Sequence, residues 1–175
     1  MSAPPKYRIE ALDPARHRRE DFTCESPELT EFLRKRARKE MEVRTSACFV
    51  AVPLDDRARI AGYYTLSAAE ITLSKLPEDL AKRLPRYPQM PATLLGRLAR
   101  DSAFRGQGIG DILMQDALAR ALSGSADIGS ICVITDPKDE RATVFYRDFG
   151  FISVGGGRLF LPMKEIARLH QSARR

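Results

Sequence analysis

The chain has 175 residues and a formal net charge of +6, and 43% of its residues are hydrophobic. This length suggests one domain, residues 1–175, that can bury a sizeable core. The charge favours an acidic partner such as nucleic acid, an acidic protein or a phosphorylated cofactor, although a basic soluble enzyme would also carry it. Because the sequence has no apolar run long enough to span a membrane and no hydrophobic targeting segment at its start, we expect a cytoplasmic protein without a membrane partner.

The chain offers few residues for metal or disulfide chemistry. Its three cysteines, Cys24, Cys48 and Cys132, are scattered along the sequence, and two of them lie inside apolar runs. We therefore expect reduced core cysteines and no metal site. His17 stands beside Arg18 in a polar segment, which predicts a solvated surface residue.

The first third of the chain predicts a strand followed by a cationic helix. Residues 7–12 have strand character, and Ser26 before Pro27 is typical of a helix start. One face of the helix is apolar, and the other carries a run of cations: Arg34, Lys35, Arg36, Arg38 and Lys39. Such runs usually form solvated faces. Five cations within six residues also suit one edge of a site for a phosphate backbone, so the run is a candidate nucleic-acid surface.

The next part of the chain predicts a hairpin and a proline-rich connector. Strands at 46–52 and 60–71 flank a polar turn, which is the pattern of a β-hairpin. Prolines then recur at every third position across residues 85–91, which favours a stiff, extended segment. That segment is either a spacer or a wall that offers Arg86 and Tyr87 to a substrate.

A glycine-rich turn between a strand and a helix lies within residues 97–111. The strand (β4, 94–100) is apolar, and apolar residues recur with helical spacing after the turn. Gly106, Gly108 and Gly110 let the backbone approach a ligand closely and adopt conformations barred to other residues. The amides of the turn then converge at the positive end of the helix dipole, which is an anion site suited to phosphate.

The rest of the chain predicts alternating strands and helices. After a loop at 124–127, a strand (β5, 128–135) leads to a helix that Gly150 ends. One face of that helix is apolar: Ala142, Phe145, Tyr146 and Phe149. A hairpin at 151–163 and a basic helix then complete the chain. The order of elements indicates one mixed α/β layer structure.

Two of these elements resemble the core of the GNAT N-acetyltransferases. The turn is neither a Walker A loop nor a good Rossmann fingerprint, but Arg105-x-x-Gly108-x-Gly110 matches the acyl-CoA signature of that family. The run Phe-Tyr-x-x-x-Gly-Phe at 145–151 follows in the expected order and is the more discriminating half. The resemblance implies a single-domain GNAT fold, with a mixed central sheet flanked by helices and a splayed β4/β5 cofactor cleft. It also implies acetyl-CoA as co-substrate and no metal.

A narrower resemblance, to GNAT-type toxins of bacterial toxin–antitoxin operons, covers nearly the whole chain. It rests on five stretches: 22–33, 62–67, 84–92, 95–99 and 158–163. Pro137 departs from the pattern, since a small residue such as Ala is more usual there. The resemblance implies acetylation of the α-amino group of aminoacyl-tRNA, which blocks translation. It also implies a ribbon-helix-helix antitoxin with an acidic tail as partner, and it leaves open whether the protein is a homodimer.

The same resemblance assigns roles to individual residues. Tyr146 corresponds to the general acid that protonates the departing CoA thiolate, and backbone amides at 98–100 can polarise the thioester carbonyl. The expected cofactor-binding residues are Leu98, Ala99, Arg100, Arg105, Gly106, Gln107, Gly108, Ile109 and Gly110. The expected substrate-binding residues are Arg34, Lys35, Arg36, Arg38, Arg86 and Tyr87. A general base is unnecessary, since an α-amino group titrates near a pKa of about 8.

Other interpretations stay open at this stage. Tyr146 lies on an apolar helix face, where a core tyrosine would also lie. The protein could be a GNAT enzyme that acts on a small amine or a protein N-terminus, against which the cationic helix and the proline-rich connector argue weakly. It could also be a non-enzymatic module that binds acyl-CoA or nucleic acid, against which the complete glycine turn and Tyr146 argue.

Overall fold

The structure, a computed structural model, describes residues 3–175. Seven strands form one mixed sheet in the order β1-β2-β3-β4-β5-β7-β6. The strands are β1 (Tyr7–Ala11), β2 (Ala47–Pro53), β3 (Gly62–Thr72), β4 (Gln89–Arg100), β5 (Cys132–Thr135), β6 (Ile152–Gly155) and β7 (Arg158–Pro162). Strands β4 and β5 pair in parallel, and the β1/β2, β2/β3, β5/β7 and β6/β7 pairs are antiparallel. This arrangement confirms the predicted mixed α/β fold.

Six α-helices accompany the sheet across the described residues. They are α1 (Pro27–Glu31), α2 (Ala37–Glu42), α3 (Glu78–Ala81), α4 (Ile109–Asp127), α5 (Glu140–Asp148) and α6 (Met163–Ala173). A π-helical segment, Phe32–Arg36, joins α1 to α2. Short 3₁₀ helices occupy Arg19–Asp21, Leu73–Lys75 and Ser102–Phe104. None of the helices in residues 3–175 is long and apolar enough to cross a membrane.

The chain forms two compact units. The first contains residues up to Ser67 together with Arg97–Ala117, and the second contains Ala68–Gly96 and Leu118–Arg175. The prediction that residues 1–175 form a single domain stays a prediction.

The core of the first unit joins the cationic helix to the start of β3 and the end of β4. Ser26 caps α1 by accepting a hydrogen bond from the Leu29 amide, with Pro27 at the first helical position, as the sequence predicted. Phe32 then stacks on Tyr63 with ring centroids 6.1 Å apart. The core of the first unit includes these buried residues: Leu12, Phe22, Phe32, Leu33, Ala37, Cys48, Val50, Val52, Ile60, Tyr63 and Ala99.

The core of the second unit lies beneath β5 and β7. Cys132, Ile134 and Phe160 are fully buried in a cluster with Ile71 and Met90. Burial raises the pKa of the Cys132 thiol to about 12, so this thiol stays protonated at neutral pH. Cys48 in the first unit is buried with a similarly raised pKa of about 12. The expectation of core positions is therefore confirmed for these two cysteines, whereas Cys24 is half-buried.

Two local predictions in the second half of the chain are wrong. Residues 124–127 continue α4 instead of forming a loop, because one glycine is tolerated inside a helix and the Ile128 amide still donates to the Gly124 carbonyl at 2.9 Å. Strand β5 begins at Cys132 instead of residue 128, and the Ile128 side chain is 80% exposed. An apolar run alone does not reveal which of its residues reach the core.

The prediction that His17 lies on the surface is also wrong. This residue is 3% exposed. Its Nδ1 accepts a hydrogen bond from the Asp13 amide at 2.9 Å, and its Nε2 lies 2.8 Å from a Glu10 carboxylate oxygen. The same carboxylate also pairs with Arg57 at 3.1 Å. Both ring nitrogens of His17 have hydrogen-bond partners, so the ring can be buried although it lies in a polar segment of the sequence.

Candidate functional site

The glycine turn joins the end of β4 to the start of α4. Asp101 follows β4 and caps the 3₁₀ helix Ser102–Phe104, and α4 begins at Ile109. Gly106 and Gly108 have φ of +75° and +74°, where side chains are strained. A Cβ at either position would meet no heavy atom within 4 Å. Backbone conformation, and not crowding by the protein, therefore requires glycine at these two positions.

Gly110 corrects the sequence interpretation of this turn. It lies inside the first turn of α4 and has no positive φ, so two of the three glycines adopt the unusual backbone. The Ile112 amide donates to the Gly108 carbonyl at 3.1 Å, which is the first helical bond. The amides of residues 109–111 precede that bond and have no acceptor within the helix. These amides form the positive end of the helix dipole, which is where an anion can bind.

Asp101 anchors the turn to the rest of the first unit. Its side chain is 3% exposed and accepts hydrogen bonds from the Thr23 amide at 3.0 Å and the Ala103 amide at 2.8 Å. The Arg59 guanidinium donates to the same carboxylate at 3.2 Å. A second backbone bond, from the Ser102 amide to the Thr23 carbonyl at 2.9 Å, reinforces the tie. The backbone that enters the glycine turn is therefore held by a buried, fully partnered carboxylate.

A glycine in β3 permits close packing beneath the turn. A Cβ at Gly62 would lie 2.7 Å from Ile109 Cγ2, 2.9 Å from the Ala99 carbonyl oxygen and 2.9 Å from Leu113 Cδ1. Ile109 is fully buried there. The first residue of α4 and the end of β4 are thus fixed against β3 by a residue without a side chain.

Aromatic side chains flank the outer side of the turn. Tyr7 packs edge-on against Phe104 and hydrogen-bonds Gln107, and the Arg59 guanidinium lies 5.6 Å from the centre of the Phe104 ring. These side chains border a cavity of about 560 Å³ that also reaches Asp56. The predicted cofactor residue Gln107 therefore has a tertiary partner of its own.

Two predicted cofactor residues at the turn are cationic. One oxygen of the Glu25 carboxylate lies 3.9 Å from both Arg100 and Arg105. Arg105 is 69% exposed, whereas Arg100 is 28% exposed and its Nε is buried without a hydrogen-bond partner. The first unit therefore places two guanidinium groups beside one carboxylate at the glycine turn. Of the remaining predicted cofactor residues, Leu98 is half-buried and Ala99 is buried.

Tyr146 lies in the second unit, on the buried face of α5. It is 7% exposed and packs edge-on between Phe145 and Phe151, each 5.5 Å away between ring centroids. Burial raises the pKa of its phenol, and a hydrogen bond with the Thr135 side chain partly offsets that effect. Asp139 caps α5 and Gly150, with φ of +100°, follows its end. The phenol is therefore neutral at physiological pH, and its role as a general acid stays a prediction.

The parallel β4–β5 ladder is short in the described structure. It consists of Thr93 opposite Val133 and Leu94 opposite Ile134. Strand β4 continues to Arg100, whereas β5 ends at Thr135. The splay of β4 from β5 stays a prediction.

The predicted substrate cations of the helix differ in their roles. Arg34 donates to the Phe22 carbonyl at 2.9 Å and to the Thr23 hydroxyl at 2.8 Å, so it holds the segment before α1. The others pair with glutamates one turn away: Lys35 with Glu31, Arg36 with Glu40 and Arg38 with Glu42. All three are well exposed, with side-chain exposures of 71%, 62% and 62%. Such pairs are weak, so these cations can exchange a carboxylate for a phosphate.

Arg86 and Tyr87 belong to the second unit and lie in the loop before β4. Both are exposed, and Tyr87 shows 67% of its surface. Arg86 borders a cavity of about 430 Å³ together with Leu73 and Lys82. The two residues are accessible to a ligand, and their role in substrate binding stays a prediction.

Residues 3–175 contain no group of three His, Cys, Asp or Glu side chains that could hold a metal ion. The first unit offers backbone amides and guanidinium groups at the glycine turn, and the second unit offers the Tyr146 phenol. Such groups bind phosphates and move one proton at a carbonyl–sulfur centre.

The model of the acetyltransferase (GNAT) domain family matches residues 46–153 of the chain. That range contains β2 to β5, the glycine turn and Tyr146. The chain therefore belongs to the GNAT acetyltransferase family, as the turn and the 145–151 motif predicted. Its co-substrate class is acetyl-CoA.

Two curated relatives cover most of the chain. A probable toxin TacT of Sinorhizobium fredii (strain NBRC 101917 / NGR234) is 32% identical over 171 residues, which are 92% of this chain and 93% of that protein. A tRNA-acetylating toxin of Mycobacterium tuberculosis (strain ATCC 25618 / H37Rv) is 30% identical over 130 residues, 74% of this chain and 75% of that protein. The predicted resemblance to GNAT-type toxins is thereby confirmed.

Solved structures of GNAT toxins share the fold. AtaT complexed with acetyl-methionyl-tRNAfMet superposes with a TM-score of 0.86 at 28% identity, covering 94% of this chain and 99% of that chain. A tyrosine-to-phenylalanine variant of AtaT, bound to acetyl-CoA and to the C-terminus of the antitoxin AtaR, superposes with a TM-score of 0.79 at 26% identity. The match covers 95% of this chain and 99% of that chain.

Sequence reasoning missed three residues that support the site. Asp101 follows a strand and precedes Ser102, which is a capping signal, but its partners Thr23 and Arg59 are distant in sequence. Gly62 carries one sequence signal, since a glycine inside a strand often marks close backbone approach. The sequence does not show which residues approach it. Thr135 ends a predicted strand before the unusual Pro137, and its bond to the Leu95 carbonyl depends on the fold.

Proposed function

We propose that this protein transfers the acetyl group of acetyl-CoA to the α-amino group of aminoacyl-tRNA in the bacterial cytoplasm and so blocks translation. The observation that carries the proposal is the similarity, over 94% of the chain, to AtaT complexed with acetyl-methionyl-tRNAfMet. The relative named as a tRNA-acetylating toxin supports the same substrate class. The net charge of +6 suits a polyanionic substrate.

The amides of the turn hold the pyrophosphate of acetyl-CoA in this proposal. Positive φ at Gly106 and Gly108 shapes the turn, and the amides of residues 109–111 supply donors at a helix N-terminus. Arg105, exposed beside the turn, adds a positive charge. The backbone amides at 98–100 polarise the thioester carbonyl.

Tyr146 is the general acid in the proposed reaction. The uncharged amine attacks the thioester carbonyl, and the C–S bond breaks as the new amide forms. Tyr146 gives its proton to the departing thiolate, the proton lost by the nitrogen goes to solvent, and the phenolate then regains a proton from solvent. The buried, hydrogen-bonded phenol supports this role because it stays protonated until the thiolate forms.

A matching antitoxin is the proposed protein partner. The AtaT structure bound to the C-terminus of AtaR supports a partner of this class. The predicted acidic tail would meet exposed cations such as Lys35 and Arg38. Their ion pairs with glutamates of the same helix are weak, so an acidic tail can replace those glutamates. Expression of this protein should therefore arrest growth, and co-expression with a ribbon-helix-helix antitoxin that binds it should relieve the arrest.

Labelled acetyl-CoA tests the substrate directly. The purified protein is incubated with it and with total charged tRNA, and in parallel with deacylated tRNA, free amino acids and protein N-terminal peptides. We expect label on charged tRNA alone, released as N-acetyl amino acid by mild base. Label on a free amine or a peptide instead would establish the alternative GNAT activity, and no label on any acceptor would leave a binding module.

A further inference from the structure

Arg97 is a cationic side chain of β4 that no step of the proposed reaction uses. Its guanidinium carbon lies 3.6 Å from the centre of the Phe32 ring, so the cation covers a ring that is itself buried. A guanidinium group forms its hydrogen bonds in its own plane, and contact with an aromatic ring occupies only its face. Packing on Phe32 therefore holds Arg97 in place and leaves its N–H groups free for a partner.

Residues 3–175 provide no hydrogen-bond acceptor for those N–H groups. The nearest carboxylate oxygen belongs to Glu40 and lies 3.8 Å from Arg97 Nη1, which is too long for a hydrogen bond. The Arg97 side chain is 26% exposed, so its donors remain accessible from solvent. A partly buried cation with unused donors is suited to an anion that brings its own oxygen atoms.

Arg36 faces the same ring and the same carboxylate from the cationic helix. Its guanidinium carbon lies 5.7 Å from the centre of the Phe32 ring, and it donates to Glu40 at 3.0 Å. The Ser46 hydroxyl donates to the other oxygen of Glu40 at 3.1 Å. Phe32 and Arg36 are the two ends of the π-helical segment, and such segments are frequent at functional sites. Two guanidinium groups thus share one carboxylate, which leaves one positive charge in excess.

The position of Arg97 within the first unit indicates which phosphate could reach it. Arg97 immediately precedes residues 98–100, whose amides polarise the thioester carbonyl in the proposed reaction. Its side chain contacts the cationic helix, whereas Arg105 and the amides at the start of α4 lie at the glycine turn and serve the cofactor phosphates in that reaction. An acceptor that approaches the thioester along the cationic helix would bring a phosphate to Arg97.

We propose that Arg97, together with Arg36, binds a phosphodiester at the aminoacylated end of the RNA acceptor. The proposal rests on the proposed function, since an RNA acceptor is what carries that phosphodiester. The phosphate oxygens accept hydrogen bonds from the free in-plane N–H groups of Arg97. Arg36 exchanges its weak pair with Glu40 for the same phosphate. Both arginines are binding residues, and neither takes part in a covalent step.

Arg97→Met tests the proposal because methionine keeps an apolar cover over Phe32 and removes the charge and the planar donors. We expect KM for charged tRNA to rise about 10- to 100-fold, the value of hydrogen bonds to a charged group, with kcat within about threefold. The slope of log(kcat/KM) against log salt should become shallower by about one, since one phosphate is no longer neutralised. Arg97→Lys keeps the charge and loses the planar fork, so it should retain the slope and have an intermediate KM.

Arg168→Met is the matched control. Arg168 is an exposed arginine of α6 in the second unit that pairs with Glu165, so its loss changes the net charge by the same amount. It should leave both KM for charged tRNA and the salt slope unchanged. Equal effects of Arg97→Met and Arg168→Met would mean that net charge alone acts, which would overturn the proposal.

Arg36→Met tests the same phosphate from the exposed side of the cluster, where the fold is least at risk. KM for charged tRNA should rise several-fold. If one phosphate binds both arginines, the double variant should lose less than the product of the two single effects. An unchanged KM for Arg36→Met, or effects that simply multiply, would overturn the shared phosphate. Thermal melting of each variant shows that the fold persists.

The phosphates of acetyl-CoA are the other source of the same chemistry, and calorimetry with acetyl-CoA separates the two. Arg97→Met should leave the Kd for acetyl-CoA within about twofold. A weaker Kd with an unchanged KM for tRNA would overturn the proposal, as would an unchanged KM and salt slope in a protein that still labels charged tRNA. A wild type that labels only a non-RNA amine would overturn the proposed function and this proposal together, so the two failures are distinguishable.

Discussion

The glycine turn and the surroundings of Tyr146 are built on opposite principles. The turn relies on backbone: two glycines at positive φ, open space where their side chains would be, and helix amides for the ligand. Tyr146 relies on a side chain, which is 7% exposed and packs edge-on against two aromatic rings. Substitutions at the turn should therefore affect ligand affinity, and substitutions around Tyr146 should affect the rate of the chemical step.

The two regions are also anchored differently. A charged residue, Asp101, fixes the turn through the Thr23 amide and Arg59. Neutral groups hold Tyr146, because two aromatic rings pack edge-on against it. A charge next to the phenol would change its readiness to give up a proton, whereas a charge beneath a phosphate-binding turn is neutralised by its own guanidinium partner.

The largest expected effect comes from Tyr146→Phe. The ring remains and packs as before, so the free energy of unfolding should fall by no more than a hydrogen bond is worth, about 1 kcal/mol. The loss of the acid should lower kcat by about 10²-fold or more, with acetyl-CoA affinity unchanged. Stopped assays with charged tRNA, thermal melting and calorimetry measure these quantities. A fully active Tyr146→Phe protein would make this residue a core tyrosine and remove the contrast.

Gly108→Val should act on affinity in the opposite pattern. A β-branched residue at φ +74° costs about 1–2 kcal/mol or shifts the turn amides, so the Kd for acetyl-CoA should rise about tenfold or more. Gly129→Val is the control, because Gly129 also has open space around it but no positive φ. Calorimetry with acetyl-CoA decides the matter. Equal affinities of the two variants would refute a backbone-built site.

Asp101→Asn should give a smaller effect that sharpens the difference in anchoring. The amide cannot replace both carboxylate oxygens toward the Thr23 and Ala103 amides, so stability should fall by about 1–3 kcal/mol. KM for acetyl-CoA should rise several-fold while kcat at saturation persists. Asp56→Asn, at an exposed aspartate paired with Arg18, is the control and should change neither. A kcat decrease at constant KM would mean that Asp101 does not serve the turn.

The smallest effects are expected on the cationic helix. Replacing Lys35 and Arg38 by Gln should leave stability within about 0.5 kcal/mol and acetyl-CoA affinity unchanged. Affinity for tRNA should fall, and the slope of log K against log salt should become shallower by about one for each phosphate that is no longer neutralised. Filter binding at several salt concentrations measures this slope. Glu31→Gln, which frees Lys35, is the opposite-charge control, and an unchanged slope in the double variant would exclude these cations from the RNA interface.

Sequence patterns located those parts of the protein that depend on neighbouring residues. Three features are each formed by residues close together in sequence: the glycine turn, the capped start of α1 at Ser26 and the apolar face of α5. Periodicity and backbone rules therefore identify them. The family followed from the resemblance of the same local motifs to the GNAT signature. Such a motif is readable in the sequence because the residues of the turn are consecutive. The assignment of acetyl-CoA therefore required no knowledge of the fold.

Tertiary structure decided which polar side chains have partners. His17 is buried because Glu10 and the Asp13 amide bond its ring, Asp101 supports the turn through Thr23, and Thr135 bonds the Leu95 carbonyl. Burial and hydrogen bonding at such residues depend on groups that lie far apart along the chain, and local patterns carry no information about them. The sequence by itself determined where the glycine turn and Tyr146 lie; only the packing of distant elements determined how each one is held.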